Sequence, residues 1–335
     1  RSSFLTTFWG PQGRYRWLRL PFGVSSAPEE FQRRLQQALH GLTGVAVVAD
    51  ILVYGIGKTI EEARVNHDAN LMQLLDRARE QHLKLNKDKM RLHLTEVLYI
   101  GHVISAKGIQ PDPSKVEAIC GMPEPKGQAD VRRYLGMCNY LARYIPKLSE
   151  ESEPLRKLTE SESEFIWGDK EKQAFLKLKD LIAKQQLLAF YDVRKPVVLQ
   201  CDASTEGLGA TLLQEGCPVA SVSRSLTRSE RNYVALELEC LAIVFACQKF
   251  DQYIFGKHIR VETDHKPLEI IIKKSILAAP RRLQRMLLQF QRYSLDVVYR
   301  PGDQQVVADT LSRAPLSQMA AEWKQDEVVF QLQDI

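Results

Sequence analysis

PVVLQCDASTEGLGATLLQ, residues 196–214, is the stretch whose reading decides the fold. An apolar, β-branched run closes on an acid, Asp202, and Gly207 and Gly209 then mark a turn into a second apolar run. The segment therefore reads as two strands with a carboxylate at the end of the first. Downstream, IRVETDH (259–265) is a second β-run that also ends on an acid, Asp264. Between them, LELECLAIVFA (236–246) has the spacing of a long amphipathic helix. Within it Glu239 shares a face with Leu236, Ala242 and Ile243 and is expected to point inward, with Glu237 as the rival acid. RPGDQQVVADTLSR (300–313) places Asp309 in a short helix after a Pro-Gly turn. The separations are 239 − 202 = 37, 264 − 239 = 25 and 309 − 264 = 45 residues, so only a folded domain brings the four acids together.

Four converging carboxylates suit one chemistry in particular. Hydrolysis of a phosphodiester needs an activated water, in-line geometry and neutralisation of charge on the attacking and leaving oxygens, and two divalent ions roughly 3.5–4 Å apart supply all three. Hard cations held that close require several negative oxygens, which is why Asp and Glu dominate such sites. Mg²⁺ keeps several of its waters and binds through few carboxylates plus substrate phosphate, so four acids suffice for a pair of Mg²⁺ ions.

The rest of the composition narrows the class. A chain of 335 residues, 44% hydrophobic and 26% charged, supports two or three ordinary domains and excludes wholesale disorder. The net charge of +5 fits a nucleic-acid partner without requiring one. Basic residues cluster: residues 1–34 hold six Arg against two Glu, and residues 279–300 hold five Arg against one Asp. In the second cluster Arg281, Arg282 and Arg285 read either as a solvated helix face or as a track for phosphates. Six scattered Cys with no CxxC pair read as reduced thiols in a cytosolic or nuclear setting and not as zinc ligands. No stretch has the length and apolarity of a signal peptide or membrane span. Opening on Arg1 inside strand-forming sequence, the chain reads as a piece of a longer polypeptide.

Upstream, FLTTFWGPQGRYRWLRLPFG (4–23) predicts a hairpin turning at Pro-Gln-Gly, followed by a helix over roughly 27–40 with Pro28 at its start. GVAVVADILVYG (44–55) predicts strand–turn–strand with Asp50 at the tip. Residues 61–82 have helical spacing, 97–105 are β-rich, and 110–128 read as a Pro/Gly-rich linker with one short helix. Helices are predicted over 129–145 and near 169–185, making 110–190 a small helical module. From 193 the order reads strand, turn, strand, strand, helix, strand, helix, strand, helix, with Thr227-Arg-Ser-Glu230 as the capping box that opens the Glu239 helix. The final stretch, 315–335, reads as a tether with weak helical character.

The order of acids, strand, helix, strand, last helix, is similar to the ribonuclease H fold. The phrases LQCDASTEGLGATLLQ, SRSLTRSERNYVALELECLAIVFA, VETDHKPL and YRPGDQQVVADTLSRA resemble the ribonuclease H of gypsy-type long-terminal-repeat retrotransposon Pol polyproteins. The resemblance implies a mixed five-stranded sheet flanked by helices over 193–314, with Asp202, Glu239, Asp264 and Asp309 as catalytic metal ligands for two Mg²⁺ ions and an RNA–DNA hybrid as substrate. It implies no His-bearing loop, and no His lies between Lys266 and Asp309; the role of His265 stays open.

The first 109 residues resemble the latter part of the same element's reverse transcriptase, a partial fingers/palm remnant. LPFGVSSAPEEFQ (20–32) resembles the motif near the incoming nucleotide, through Phe22 and Gly23. LNKDKM (85–90) and VLYIGHVIS (97–105) resemble later palm motifs, in which Lys89 would face the nucleotide and Tyr99 to His102 the primer end. NYLARYIPKLSEESEPLRKLT and FIWGDKEKQAFLKLK resemble the thumb and connection, 110–192. The family's polymerase hairpin carries two adjacent Asp, whereas VVADILVYG has Asp50 alone, the first Asp in the chain. One acid cannot assemble a two-metal polymerase site, so DNA synthesis is expected to be lost. A residue lost at the tip would also disturb the strand register unless the turn absorbs it. The alternatives are a polymerase completed by an upstream segment, or a catalytically silent nucleic-acid-binding relic. Expected partners are the hybrid and other Pol segments (integrase and upstream reverse transcriptase), with no membrane. The expected location is cytoplasmic, particle-associated, or nuclear, and not secreted.

Overall fold

The computed structural model describes residues 4–21, 23–160, 164–185, 187–272, 279–301 and 327–333. The chain divides into two compact units, residues 1–106 with 324–335, and residues 107–323. Among the described residues no helix is long and apolar enough to cross a membrane.

In the first unit β1 (Thr7–Gly10) and β2 (Gly13–Arg16) form a hairpin about Pro11-Gln12, and α1 (Ala27–Ala38) follows with Pro28 in its first turn. β3 (Val45–Val48) and β4 (Asp50–Gly57) pair antiparallel in unbroken register from Val45 with Val53 to Val48 with Asp50. The hairpin tip is thus Ala49 alone, at φ 59°, and Asp50 opens β4 and does not sit at the tip. Pairing on either side of Ala49 continues without a register shift. Gln32 of α1 secures it from both sides: its amide Nε2 donates to Val47 O (2.7 Å) and its Oε1 accepts from Ala49 N (2.8 Å).

α2 (Ile60–Glu80), capped by Thr59, lies on β4. Gly55 and Gly57, on one face of that strand, leave bare backbone for it. A Cβ on Gly55 would stand 2.1 Å from Ala63 O and 2.3 Å from His67 N. β5 (Arg91–Leu94) follows a 3-10 turn at Lys87–Lys89, and β6 (Glu96–Tyr99) and β7 (His102–Ser105) form a hairpin through Ile100 and Gly101, both at positive φ. The expected tether is not helical where it is described. Glu327–Gln333 is a strand lying antiparallel between β4 and β5.

The second unit opens with β8 (Gly108–Pro111), α3 (Pro113–Cys120) and α4 (Gln128–Tyr140). α4 ends earlier than its apolar spacing predicts, because Ala142–Tyr144 tightens into a 3-10 turn ahead of Pro146. α5 (Leu148–Glu151), α6 (Glu153–Lys157) and α7 (Asp169–Ala183) complete a helical module around Val131, Tyr134, Leu155, Phe175 and Leu178.

β9 (Val198–Ala203), β10 (Gly207–Gln214), β11 (Cys217–Ser225), α8 (Ala235–Lys249), α9 (Asp251–Ile254), β12 (His258–Thr263), α10 (Lys266–Ile272), α11 (Arg281–Phe290) and β13 (Ser294–Tyr299) follow. The sheet order is β11-β10-β9-β12-β13, the first three strands antiparallel and β9-β12-β13 parallel, which is the expected mixed five-stranded sheet. Its core joins Leu199, Cys201, Leu212 and Val261 to Cys240, Ile243 and Ala246 of α8. The Thr227–Glu230 box is present, with Glu230 accepting from Thr227 N (2.8 Å), but it closes a 3-10 turn at Glu230–Asn232 and α8 starts later, at Ala235. The last helix of the expected order lies outside the described residues.

Since Gly55 is pressed against helix backbone, which cannot rotate away, Gly55→Ala is expected to lower stability by about 1–3 kcal/mol. The denaturation midpoint of the full chain, followed by circular dichroism, measures this.

Candidate metal centre

Strand pairing sets two of the acids side by side. β9 and β12 run parallel with Val198 opposite Arg260 and Gln200 opposite Glu262, an offset of 62 residues. Continued by two residues, that offset brings Asp202 level with Asp264 (264 − 202 = 62) at the carboxyl ends of the two strands. Such ends are where open α/β sheets place their ligands. One step back, Gln200 Nε2 donates to the buried Glu262 (2.9 Å), which Arg300 also holds through both carboxylate oxygens at 3.0 Å. That pairing locks the two strands in register just behind the acids.

Glu239 arrives from α8, whose first turns pack on β9 and β10. Its Oε1 accepts from Ala203 N (3.3 Å) and its Oε2 from Thr263 Oγ1 (3.2 Å), so it is tied to the ends of both strands. Ligand atoms of Asp202, Glu239 and Asp264 all lie within 4.8 Å of one another. Glu239 is buried, Asp202 half-buried and Asp264 exposed. Burial, and then the nearby Asp264 and Asp202 carboxylates, push the Glu239 carboxyl up to about 8, against the two hydrogen bonds that favour its ionised form. This donor set fits a hard divalent cation.

Glu237, the rival acid, faces elsewhere. Its carboxylate accepts from Val234 N (3.3 Å) at the helix start and pairs with Arg282 (2.7 Å). Arg282 also lies 4.2 Å from the centroid of the Tyr233 ring, so this member of the basic trio is engaged within the fold. Arg281 and Arg285 are exposed on α11. Asp309 and Phe22 lie outside the described residues. In the first unit Gly23 has φ 86° and Lys89 is exposed. Asp50 belongs to neither of the two groups of three metal-ligating side chains found among the described residues. The second such group, His67, Asp68 and His93, is a hydrogen-bonded string in which Asp68 Oδ1 meets His67 Nδ1 at 2.8 Å and His93 Nε2 at 2.7 Å.

One residue of the site escaped the sequence reading. Lys147 of the helical module forms an ion pair with Asp202 through its Nζ. Burial pulls its ammonium down, but the Asp202 carboxylate, helped by Glu150 and Asp264, outweighs this and holds it above the ordinary lysine range. No local pattern marks it, because it reaches the site from a loop with left-handed backbone (φ 58°, ψ 20°).

Two family models match the chain: "Reverse transcriptase (RNA-dependent DNA polymerase)" over residues 2–104, and "RNase H-like domain found in reverse transcriptase" over residues 192–293. Among curated proteins, the chain is 33% identical over 95% of its length to the retrovirus-related Pol polyprotein from transposon 412 of Drosophila melanogaster, covering 26% of that protein. It is 31% identical over 96% of its length to the Pol polyprotein from transposon gypsy of the same organism, covering 32% of it. The chain thus spans about a quarter to a third of the length of these relatives. Among solved structures, the foamy viral protease-reverse transcriptase matches with a TM-score of 0.75 in a complex with double-stranded DNA, at 20% identity, over 89% of this chain and 53% of that one. The same protein in complex with an RNA/DNA hybrid matches with a TM-score of 0.71 over 94% of this chain and 42% of that one, also at 20% identity. At that identity the likeness speaks for the fold.

The raised Glu239 carboxyl generates a pH signature. With a folded value of about 8 against an ordinary 4.5, the folded state keeps a proton that the unfolded state has released across that window. Metal-free stability therefore falls as pH rises from about 4.5 to about 8 and levels off above it. Glu239→Gln is expected to flatten this part of the profile, as read from urea midpoints in EDTA at a series of pH values.

Proposed function

We propose that this chain, which belongs to the gypsy-type retrotransposon Pol family, is a divalent-metal-dependent ribonuclease H that cuts the RNA strand of RNA–DNA hybrids and no longer synthesises DNA. Its membership of the reverse transcriptase and ribonuclease H kind of enzyme is the premise. The observation that carries the finer reading is the convergence of Asp202, Glu239 and Asp264 at the carboxyl ends of two parallel strands.

In this reading those three side chains hold two Mg²⁺ ions, with Asp309 completing the set. When bound, the metal activates water and neutralises charge on the phosphodiester oxygens. The chain's own part is positional. β9 and β12 fix the spacing of Asp202 and Asp264. Ala203 N and Thr263 Oγ1 aim the Glu239 carboxylate between them and favour its ionised form. Thr263, 0% exposed, and the equally buried Cys201 each precede one of the strand acids and anchor the strand ends in the fold. The exposed Arg281 and Arg285 supply charge for the hybrid's backbone, and recognition by shape, phosphates and 2′-hydroxyls gives little sequence preference.

The polymerase half keeps the hairpin with a single acid, Asp50, since Ala49 occupies the turn beside it. A single hairpin carboxylate is too few for a metal pair.

A fluorescent RNA–DNA hybrid incubated with the full chain and increasing Mg²⁺ tests the nuclease. Cleavage restricted to the RNA strand and dependent on Mg²⁺ is expected. Asp202→Asn should reduce it by at least about a hundredfold, since even groups that only orient metal ligands cost 10–100-fold. A mutant as active as the parent would sink the assignment and leave the binding-relic alternative. Primer extension on the same protein is expected to show no templated incorporation.

A further inference from the structure

The ion pair between Lys147 and Asp202 joins two parts of the second unit that otherwise have separate cores. Lys147 stands between the 3-10 turn at Ala142–Tyr144 and α5, and its carbonyl accepts from Glu150 N (3.0 Å) and Glu151 N (3.1 Å), which fixes the loop to the start of that helix. Two residues on, Ser149 N donates to Ser223 Oγ of β11 (3.1 Å), which docks the loop onto the sheet. The lysine stem then crosses β10 at Gly209, the residue paired with Asp202 across the strands. A Cβ on Gly209 would lie 3.8 Å from Lys147 Cγ, at ordinary van der Waals distance, so the stem passes directly over this residue. The lysine side chain is 47% exposed, so its ammonium can swing off Asp202 while its backbone stays anchored.

We propose that Lys147 is a positioning residue of the acid cluster, a displaceable counter-ion that holds Asp202 until a divalent cation takes its place. The inference rests on the metal-site reading of Asp202, Glu239 and Asp264. One ammonium offsets part of the charge of three crowded carboxylates and keeps the Asp202 carboxylate turned toward the cluster. Because the same Asp202 oxygens are the ligands a metal needs, the lysine and the metal are competing ligands of one group. Binding of either weakens the other by the same factor. The helical module thereby sets the cation concentration at which the nuclease site fills.

Mg²⁺ binding to the full chain without nucleic acid, followed by calorimetry, reads this directly. Lys147→Met is expected to tighten Mg²⁺ binding by about fivefold or more, the lower range of coupling between two linked ligands. Lys147→Arg, which keeps the charge, should bind Mg²⁺ like the parent. Unchanged or weaker Mg²⁺ binding by folded Lys147→Met would overturn the proposal. If that variant does not fold, Lys147→Gln substitutes for it with the same expected result. Asp202→Asn separates the two readings. Should it leave Mg²⁺ binding intact, the metal site itself is wrong. Should it abolish binding while Lys147→Met changes nothing, only the role of the lysine fails.

Discussion

The parallel pairing of β9 with β12 is the constraint on which the second unit's chemistry depends. Parallel strands end together, and the 62-residue offset that matches Gln200 to Glu262 also matches Asp202 to Asp264. Two carboxylates brought that close repel, and α8 adds a third. The fold meets this cost with structure just behind the acids: a hydrogen-bond network in which Arg300 holds the buried Gln200–Glu262 pair, and strand-end donors aimed at Glu239. Register, held by this network, keeps the cluster of like charges in place, with Lys147 paired to one of its members.

Much of this was legible in the chain. Acids that close β-branched runs identified Asp202 and Asp264 because strand ends are written locally, in the switch from alternating apolar residues to turn residues. Glu239 was preferred to Glu237 because it begins the phrase Glu-x-Leu-Ala-Ile of the family the chain resembles and because of its helical phase, and the structure turns the two to different partners. The order of strands and helices followed from the same periodicities, and the mixed sheet from the fold that the order resembles. The acid expected on the last helix, Asp309, lies outside the described residues.

What stayed hidden depends on contacts between distant segments. Lys147 reaches Asp202 from 55 residues upstream (202 − 147 = 55), out of a left-handed loop residue that no periodicity signals. Glu327–Gln333 is short enough to pass for a tether in the sequence, and its partners β4 and β5 lie more than 200 residues upstream, where no local pattern points to them. The Thr227–Glu230 box was read correctly as hydrogen bonding and wrongly as the start of α8. A cap satisfies backbone groups without stating how long the helix behind it runs, and here only a 3-10 turn follows before the chain re-enters at Ala235.

The alanine turn between β3 and β4 is held through its main chain. Gln32, grasping main-chain atoms on both sides of Ala49, holds the loop whichever side chain projects from it. The outline of this hairpin and the charge at its apex are therefore separable: a substitution at position 49 changes what the turn carries and leaves the means of holding it untouched.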